Sequence, residues 1–314
     1  MKGRLSAGTL ALFLTVTMVG YGCQDVNTVG ISANCPVDES YVSASGHAQG
    51  DRSRAVLADM FKAAAANDYS AFMAIAADPY IQHSPDLADG WEPVWNLLVN
   101  RPAGFSTRQM QWLGGDGFLD NGDFLVMFRE VDRGDGTGPS KIVDLLRFDE
   151  NGKYAEHWDI RQPLSNGTAS GRRETDAASV FLDNPVTYSE QIEEANKQIA
   201  GTFLNLAFNE GNLNAALEEY VDENYIQHNP LIADGIEPIR QAFESGNIPT
   251  LCYDIQHIFA QNDLVVVHSK VTSSGGVSAV VDLLRIRDGK LVEHWDVVQP
   301  VLPDSEMPHD NGMF

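Results

Sequence analysis

Residues 291–300 of the chain read LVEHWDVVQP, and residues 154–163 read YAEHWDIRQP. A repeated Glu-His-Trp-Asp followed three residues on by Gln-Pro points to two versions of one folding unit. The repeat extends upstream. Tyr80-Ile81-Gln82-His83-Ser84-Pro85 matches Tyr225-Ile226-Gln227-His228-Asn229-Pro230, and Ala88-Asp89-Gly90 with Glu92-Pro93 matches Ala233-Asp234-Gly235 with Glu237-Pro238. Val143-Asp144-Leu145-Leu146-Arg147 matches Val281-Asp282-Leu283-Leu284-Arg285. The first copy is longer around Gly114, Gly115 and Gly117 and over residues 133–139. Insertions of that kind belong in loops around a shared core.

Each copy opens with helical spacing. In the second, Ile192, Ile199, Phe203, Leu206 and Ala207 recur on one face of residues 189–209, and residues 213–220 follow. In the first, residues 55–66 and 69–76 play these parts. A short helix over residues 237–245 has Pro238 in its first turn. Strands are expected at 253–259, 264–271, 278–286 and 291–298, the last two joined by an Asp288-Gly289 turn. Helices followed by an antiparallel meander make an α+β unit. The expected organisation is a signal peptide at 1–22, a tether at 23–50, domain 1 at 51–164, a linker at 165–186, domain 2 at 187–303 and a tail at 304–314.

Lys2 and Arg4 precede a short apolar run at residues 10–19, the pattern of an export signal too short to span a bilayer comfortably. Gly20-Tyr21-Gly22 then leads to Cys23, resembling a bacterial lipobox in which that Cys is lipidated. The expectation is an envelope lipoprotein on the periplasmic side or outer membrane, or else a secreted protein, touching membrane only through that anchor. Cys35 and Cys252 complete a set of three cysteines. No spacing suggests a metal site; a disulfide between Cys35 and Cys252 is permitted by an exported setting but not indicated by spacing, and free thiols are the preferred reading. A formal net charge of -23 repels nucleic acid and anionic membrane, which excludes both as main partners.

On a strand, His294, Asp296 and Val298 share one face, and Glu293, Trp295 and Val297 the other. With a regular hairpin, Ile286 opposes Leu291, Leu283 opposes His294 and Val281 opposes Asp296. Asp282 then falls on the reverse face, opposite Trp295. Asp296 among apolar neighbours has its charged form disfavoured, which suits a general base; it could equally be fixed by Trp or backbone donors at a sheet edge. His228, between extended backbone and a proline, either caps or points into a pocket. His268 shares a face with Leu264 and Val266, and Phe128 replaces it in the first copy.

Taken together, the Tyr-Ile-Gln-His-Asn-Pro, Val-Val-Asp-Leu-Leu-Arg and Asp-Gly-Lys-Leu-Val-Glu-His-Trp-Asp-Val-Val-Gln-Pro segments resemble the bacterial SnoaL-like proteins of the nuclear-transport-factor-2-like superfamily. The resemblance covers most of both copies. It implies two tandem cone-shaped domains, each a curved antiparallel sheet wrapped on N-terminal helices around a pocket. In SnoaL-like cyclases an acidic residue removes a proton next to a carbonyl and an aldol closure follows, with no metal and no organic cofactor. Asp296 occupies the place of that last-strand acid, and Asp159 is its counterpart.

In the first copy Arg161 replaces Val298 and is expected to hold Asp159 ionised, so the second copy is expected to be the competent one. There, Asp296 would be the base, with His228, His294 and His268 positioning a carbonyl. Tyr225, Trp295, Asp159, His83 and His157 would line the substrate sites. The expected reaction is cofactor-independent cyclisation or isomerisation of a small apolar molecule. The rival reading is an exported binding protein for a small apolar ligand. Such domains dimerise through their sheets, so the two copies are expected to pair as a dimer within one chain.

Overall fold

The computed structural model describes Cys35, Val42–Ser43 and residues 46–314 apart from Asn247. The export segment and the Cys23 lipidation site lie outside the described residues. Val42–Ser43 forms a two-residue strand, β1. The first copy then runs α1 (Gly50–Ala65), α2 (Tyr69–Ala74), β2 (Ala76–Gln82), α3 (Trp91–Val99), β3 (Ser106–Gln109), β4 (Leu119–Asn121), β5 (Phe124–Asp132), β6 (Ser140–Phe148) and β7 (Tyr154–Pro163). A linker carries one short helix, α4 (Ser179–Leu182). The second copy runs α5 (Glu190–Leu204), a π-helical turn at Asn205–Asn209, α6 (Leu213–Tyr220), β8 (Val221–Gln227), α7 (Ile236–Glu244), β9 (Cys252–Gln261), β10 (Leu264–Ser273), β11 (Gly276–Arg287) and β12 (Lys290–Pro300).

The strands form two separate sheets, in the order β2-β7-β6-β5-β3 with β4 on β5, and β1-β9-β10-β11-β12-β8. The architecture is the expected α+β, one sheet and one set of helices per copy. Helix periodicity explains which faces meet. Leu57, Met60 and Ala63 of α1 pack with Leu125, Met127 and Leu146 on the inner face of the first sheet. Ala200, Phe203 and Leu204 of α5 pack with Val265, Val267 and Leu284 on the inner face of the second. The Asp288-Gly289 turn has φ of 52° and 76°, the left-handed pair that a two-residue hairpin requires.

The outer faces of the sheets pack on each other. Phe128, Val143 and Trp158 of the first share one core cluster with Val266, Leu283 and Trp295 of the second. The segments that follow the last strands also cross over. Arg173 O, after β7, accepts from His228 Nδ1 at 3.0 Å. Gly312 O, after β12, accepts from His83 Nδ1 at 3.1 Å. Each copy is therefore closed by the segment that leaves the other.

Two expectations are corrected. Cys35 and Cys252 are joined in a disulfide with Cα atoms 5.5 Å apart, so neither is a free thiol. The β11–β12 hairpin pairs Ile286 with Leu291 as expected, but a bulge between Arg285 and Ile286 shifts the register beyond it. Asp282 then stands opposite Asp296, Leu284 opposite His294 and Leu283 opposite Trp295. One extra residue turns every side chain on β11 to the other face relative to β12. The first copy carries the same bulge and pairs Asp144 with Asp159.

Candidate functional site

Each cone encloses a cavity. That of the second cone is about 340 Å³ and is bounded by Phe203, Leu204, Ile239 and Phe243 from the helices and by Val280 and Leu284 from the sheet. Its polar wall includes Tyr225, Gln227, Asn229, Tyr253, Asp282, His294 and Asp296, with Ser273 and Ser278. The first cavity is about 290 Å³, with Asp144, His157 and Asp159 in the matching wall. A mostly apolar cavity with a few convergent polar groups is the usual form of a small-molecule site.

In the second cone the polar groups form a chain. Gln227 Oε1 accepts the backbone N–H of His228 and of Asn229, both at 2.9 Å, which fixes the amide orientation. His294 Nδ1 lies 2.9 Å from the same oxygen and must donate to it. His294 Nε2 lies 2.9 Å from Asp282 Oδ1. One proton is therefore shared across that contact, carried either by Asp282 or by the imidazole. The other oxygen, Asp282 Oδ2, is buried with no hydrogen-bond partner. The Tyr253 hydroxyl interacts with the same carboxyl group.

Asp296 is held differently. Its Oδ1 lies 3.3 Å from Nζ of the wholly buried Lys141, which reaches across from β6 of the first cone, and its Oδ2 accepts from Asn229 Nδ2. Burial pushes the Asp296 carboxyl up, but the Lys141 and His294 charges and the Asn229 bond outweigh it and leave it below the usual value. Burial pushes Asp282 up, and the His294 contact only partly opposes it.

The first cone inverts this pattern. Arg129 donates to both oxygens of Asp144, at 2.6 Å each, and holds that carboxyl at about 2 against the effect of burial. Asp159 is pushed up, mainly by burial, with the Asp144 charge adding to it. Each cavity thus pairs one fixed carboxylate with one raised carboxyl. The raised one is Asp159 on β7 in the first cone and Asp282 on β11 in the second. Environments that drive two carboxyl groups apart separate acid–base roles.

Asp296, His294 and Tyr225 meet in the second cavity, and Asp159 and His157 in the first. His228 does not enter the cavity. It stacks on Trp295 at a ring separation of 4.9 Å, on the outer face of the sheet, with Nε2 2.9 Å from Glu293 Oε1. The parallel β8–β12 pairing sets Gln227 beside His294 and so turns Gln227 inward and His228 outward. His83 repeats this on Trp158 and Glu156. His268 is also on the outer face, buried against His257 and Phe314. Trp295 fills the inter-sheet core rather than a substrate site. Arg161 pairs with Asp86 at 3.3 Å and not with Asp159. The expected weakening of Asp159 by Arg161 is therefore absent. Asp282, Asp144, Gln227, Arg129 and Lys141 were not singled out from the sequence. The repeated Val-Asp-Leu-Leu-Arg and Tyr-Ile-Gln-His segments hold the first three of them, or their matches, and were the available signal.

Asp144, His157 and Asp159 bring three ligand atoms within 4.8 Å of one another, close enough for a metal ion. Both Asp144 oxygens are already engaged by Arg129, which supplies the positive charge at that place.

Residues 200–294 match the family model of the SnoaL-like domain. The match lies within the second cone and includes Gln227, Asp282 and His294. No curated protein matches the chain. Among solved structures, a candidate polyketide cyclase from Acidithiobacillus ferrooxidans is similar at 21% identity and TM-score 0.29, over 33% of this chain and 87% of that one. TsrD from Streptomyces laurentii is similar at 22% identity and TM-score 0.29, over 33% and 89%. An NTF2-like protein from Mesorhizobium loti is similar at 22% identity and TM-score 0.31, over 36% and 99%.

Proposed function

We propose that the second cone binds a small neutral apolar carbonyl compound and removes a proton from the carbon next to the carbonyl, without a cofactor. The observation that carries this reading is Asp282 Oδ2, a buried carboxylate oxygen in the cavity wall that accepts no well-formed hydrogen bond, with the Tyr253 hydroxyl as the donor beside its carboxyl group. A buried polar atom left unpaired is costly, and a polar or acidic C–H group of a ligand would relieve it. Oδ2 takes the proton while Oδ1 stays bonded to His294. The electron pair of the broken C–H bond moves onto the carbonyl oxygen as an enolate. Gln227 Nε2 points to the Tyr225 hydroxyl at 3.4 Å, and burial holds that phenol well above its usual value, so it keeps a proton to donate to the enolate oxygen. Return of the proton to another carbon gives isomerisation; attack of the enolate on a second carbonyl gives aldol closure.

Asp296 serves in this reading as a fixed carboxylate that tunes Asp282 and His294, not as the base. The SnoaL-like match of this cone is in keeping with such chemistry, although that domain type hosts several functions. The Cys35–Cys252 disulfide favours an oxidising compartment and so an exported protein, with Cys23 as its lipid anchor. The shared sheet core supports the view of the chain as a dimer of cones within one polypeptide.

The test is loss of α-protons from small cyclic ketones and β-diketones in D2O, followed by proton NMR. Exchange by the wild type that Asp282→Asn abolishes, while Asp159→Asn leaves most of it, supports the reading. Binding of a ketone without exchange in the wild type would indicate a carrier and overturn it.

A further inference from the structure

The two cavities differ in charge. Among the described residues, no arginine or lysine lines the second cavity. Arg101, Arg129 and Arg133 line the first. Beside it lies a further hollow of about 370 Å³, bounded by α1 and the segment after α3, which shares Phe61, Leu98, Arg101, Met127 and Arg129 with the first cavity. Among the described residues, Arg101 and Arg129 are the only charged groups that line that hollow; the rest of the wall is apolar, with Thr107 and Gln109.

Four acids line the first cavity, and one of them, Asp135, is exposed at its rim and accepts from the backbone N–H and hydroxyl of Thr137. Asp86 is paired with Arg133 at 2.6 Å and with Arg161 at 3.3 Å. Asp144 is paired with Arg129, and Asp159 is pushed by burial toward its neutral form. Arg101 differs from these arginines. Its guanidinium lies over the Phe105 ring at 4.7 Å, and burial together with the Arg129 charge lowers its pKa. Arg129 shares its charge with Asp144 through Nε and Nη2, so Arg101 is the cation without a carboxylate partner among the described residues at the edge of the apolar hollow, in an otherwise acidic protein. The complementary ligand is an anion with an apolar body.

We propose that the first cone binds an apolar monocarboxylate, with its carboxylate between Arg101 and Arg129 and its hydrocarbon body along Phe61, Leu98 and Met127. The first cone is then a second site with its own ligand class, not a weakened copy of the second. This inference does not depend on the chemistry assigned to Asp282.

The test uses the full chain and isothermal titration with decanoate and with decanol, which share a hydrocarbon body and differ in charge. Decanoate is expected to bind at least about tenfold more tightly than decanol, as one charge-assisted contact allows. Arg101→Gln should weaken decanoate about tenfold and leave decanol unchanged, and Arg101→Lys should recover most of the loss. Asp282→Asn should leave decanoate binding intact. Equal affinity for the two probes, an unchanged decanoate affinity in Arg101→Gln, or loss of decanoate binding in Asp282→Asn would each overturn the proposal.

Discussion

Replacing Lys141 by Met leaves two carboxyl groups buried without their cation. Lys141 is wholly buried, and its Nζ lies 2.8 Å from Glu174 Oε2 and 3.3 Å from Asp296 Oδ1. These groups come from β6, the linker and β12, so one ammonium joins three segments of the chain. Removing one partner of a buried ionic group costs about 3–5 kcal/mol, because the charge left behind has lost both water and its counter-ion. Lys141→Met should therefore lower the unfolding free energy at pH 7 by about that amount in urea titrations followed by tryptophan fluorescence. The pH dependence should weaken as well. In the wild type the Asp296 carboxyl lies below its unfolded value, so its contribution is present above the unfolded pKa and is lost as pH falls through the folded one. Without Lys141 the largest opposing charge is gone and the folded pKa rises toward or above the unfolded one, so the variant should lose less stability than wild type as pH falls through the carboxylate range. Lys141→Met combined with Glu174→Gln and Asp296→Asn should recover most of the loss. A cost below about 1 kcal/mol for the single change, or no recovery in the triple, would refute the ionic account.

Two further outcomes follow from the packing. Trp295 is fully buried and stacks on Trp112 at 4.3 Å, and its Nε1 donates to Asp176 O at 2.8 Å. Trp295→Ala should cost about 3–5 kcal/mol and, because both sheets share this core, should destabilise the two cones together in a single calorimetric transition. Cys35→Ser should lower the stability of the oxidised protein by about 2–5 kcal/mol in denaturant titrations, and reduction of the wild type should reproduce the effect.

The parts of the fold that local rules control were legible in the sequence. The Asp288-Gly289 turn, the four long strands of the second cone and the inward face of His294, Asp296 and Val298 are set by turn chemistry and by alternation. Asp282 was hidden by a single bulge. The hairpin turn fixes Ile286 against Leu291, but nothing nearby in the sequence marks the extra residue that brings Asp282 to Asp296. His228 was misplaced because its side depends on the parallel pairing of β8 with β12, a contact between distant segments. Lys141 gave no local sign of its partner, which lies in the other copy. Each side chain of Glu-His-Trp-Asp has its own partners in the fold. Glu293 holds Arg285 and His228, His294 holds Gln227 and Asp282, Trp295 fills the inter-sheet core, and Asp296 meets Lys141. Three of its four side chains serve the architecture at least as much as any chemistry.

The assignment of Asp282 as the base rests on its unpaired Oδ2 and requires that its carboxyl titrate above that of Asp296. Carbon-13 NMR of aspartate-labelled protein, with resonances assigned through Asp144→Asn, Asp159→Asn, Asp282→Asn and Asp296→Asn, measures that difference directly. The expected result is Asp282 and Asp159 titrating above the ordinary aspartate range and Asp296 and Asp144 below it, Asp144 at about 2. Asp296 titrating above Asp282 would contradict the assignment and return the role of base to the last strand.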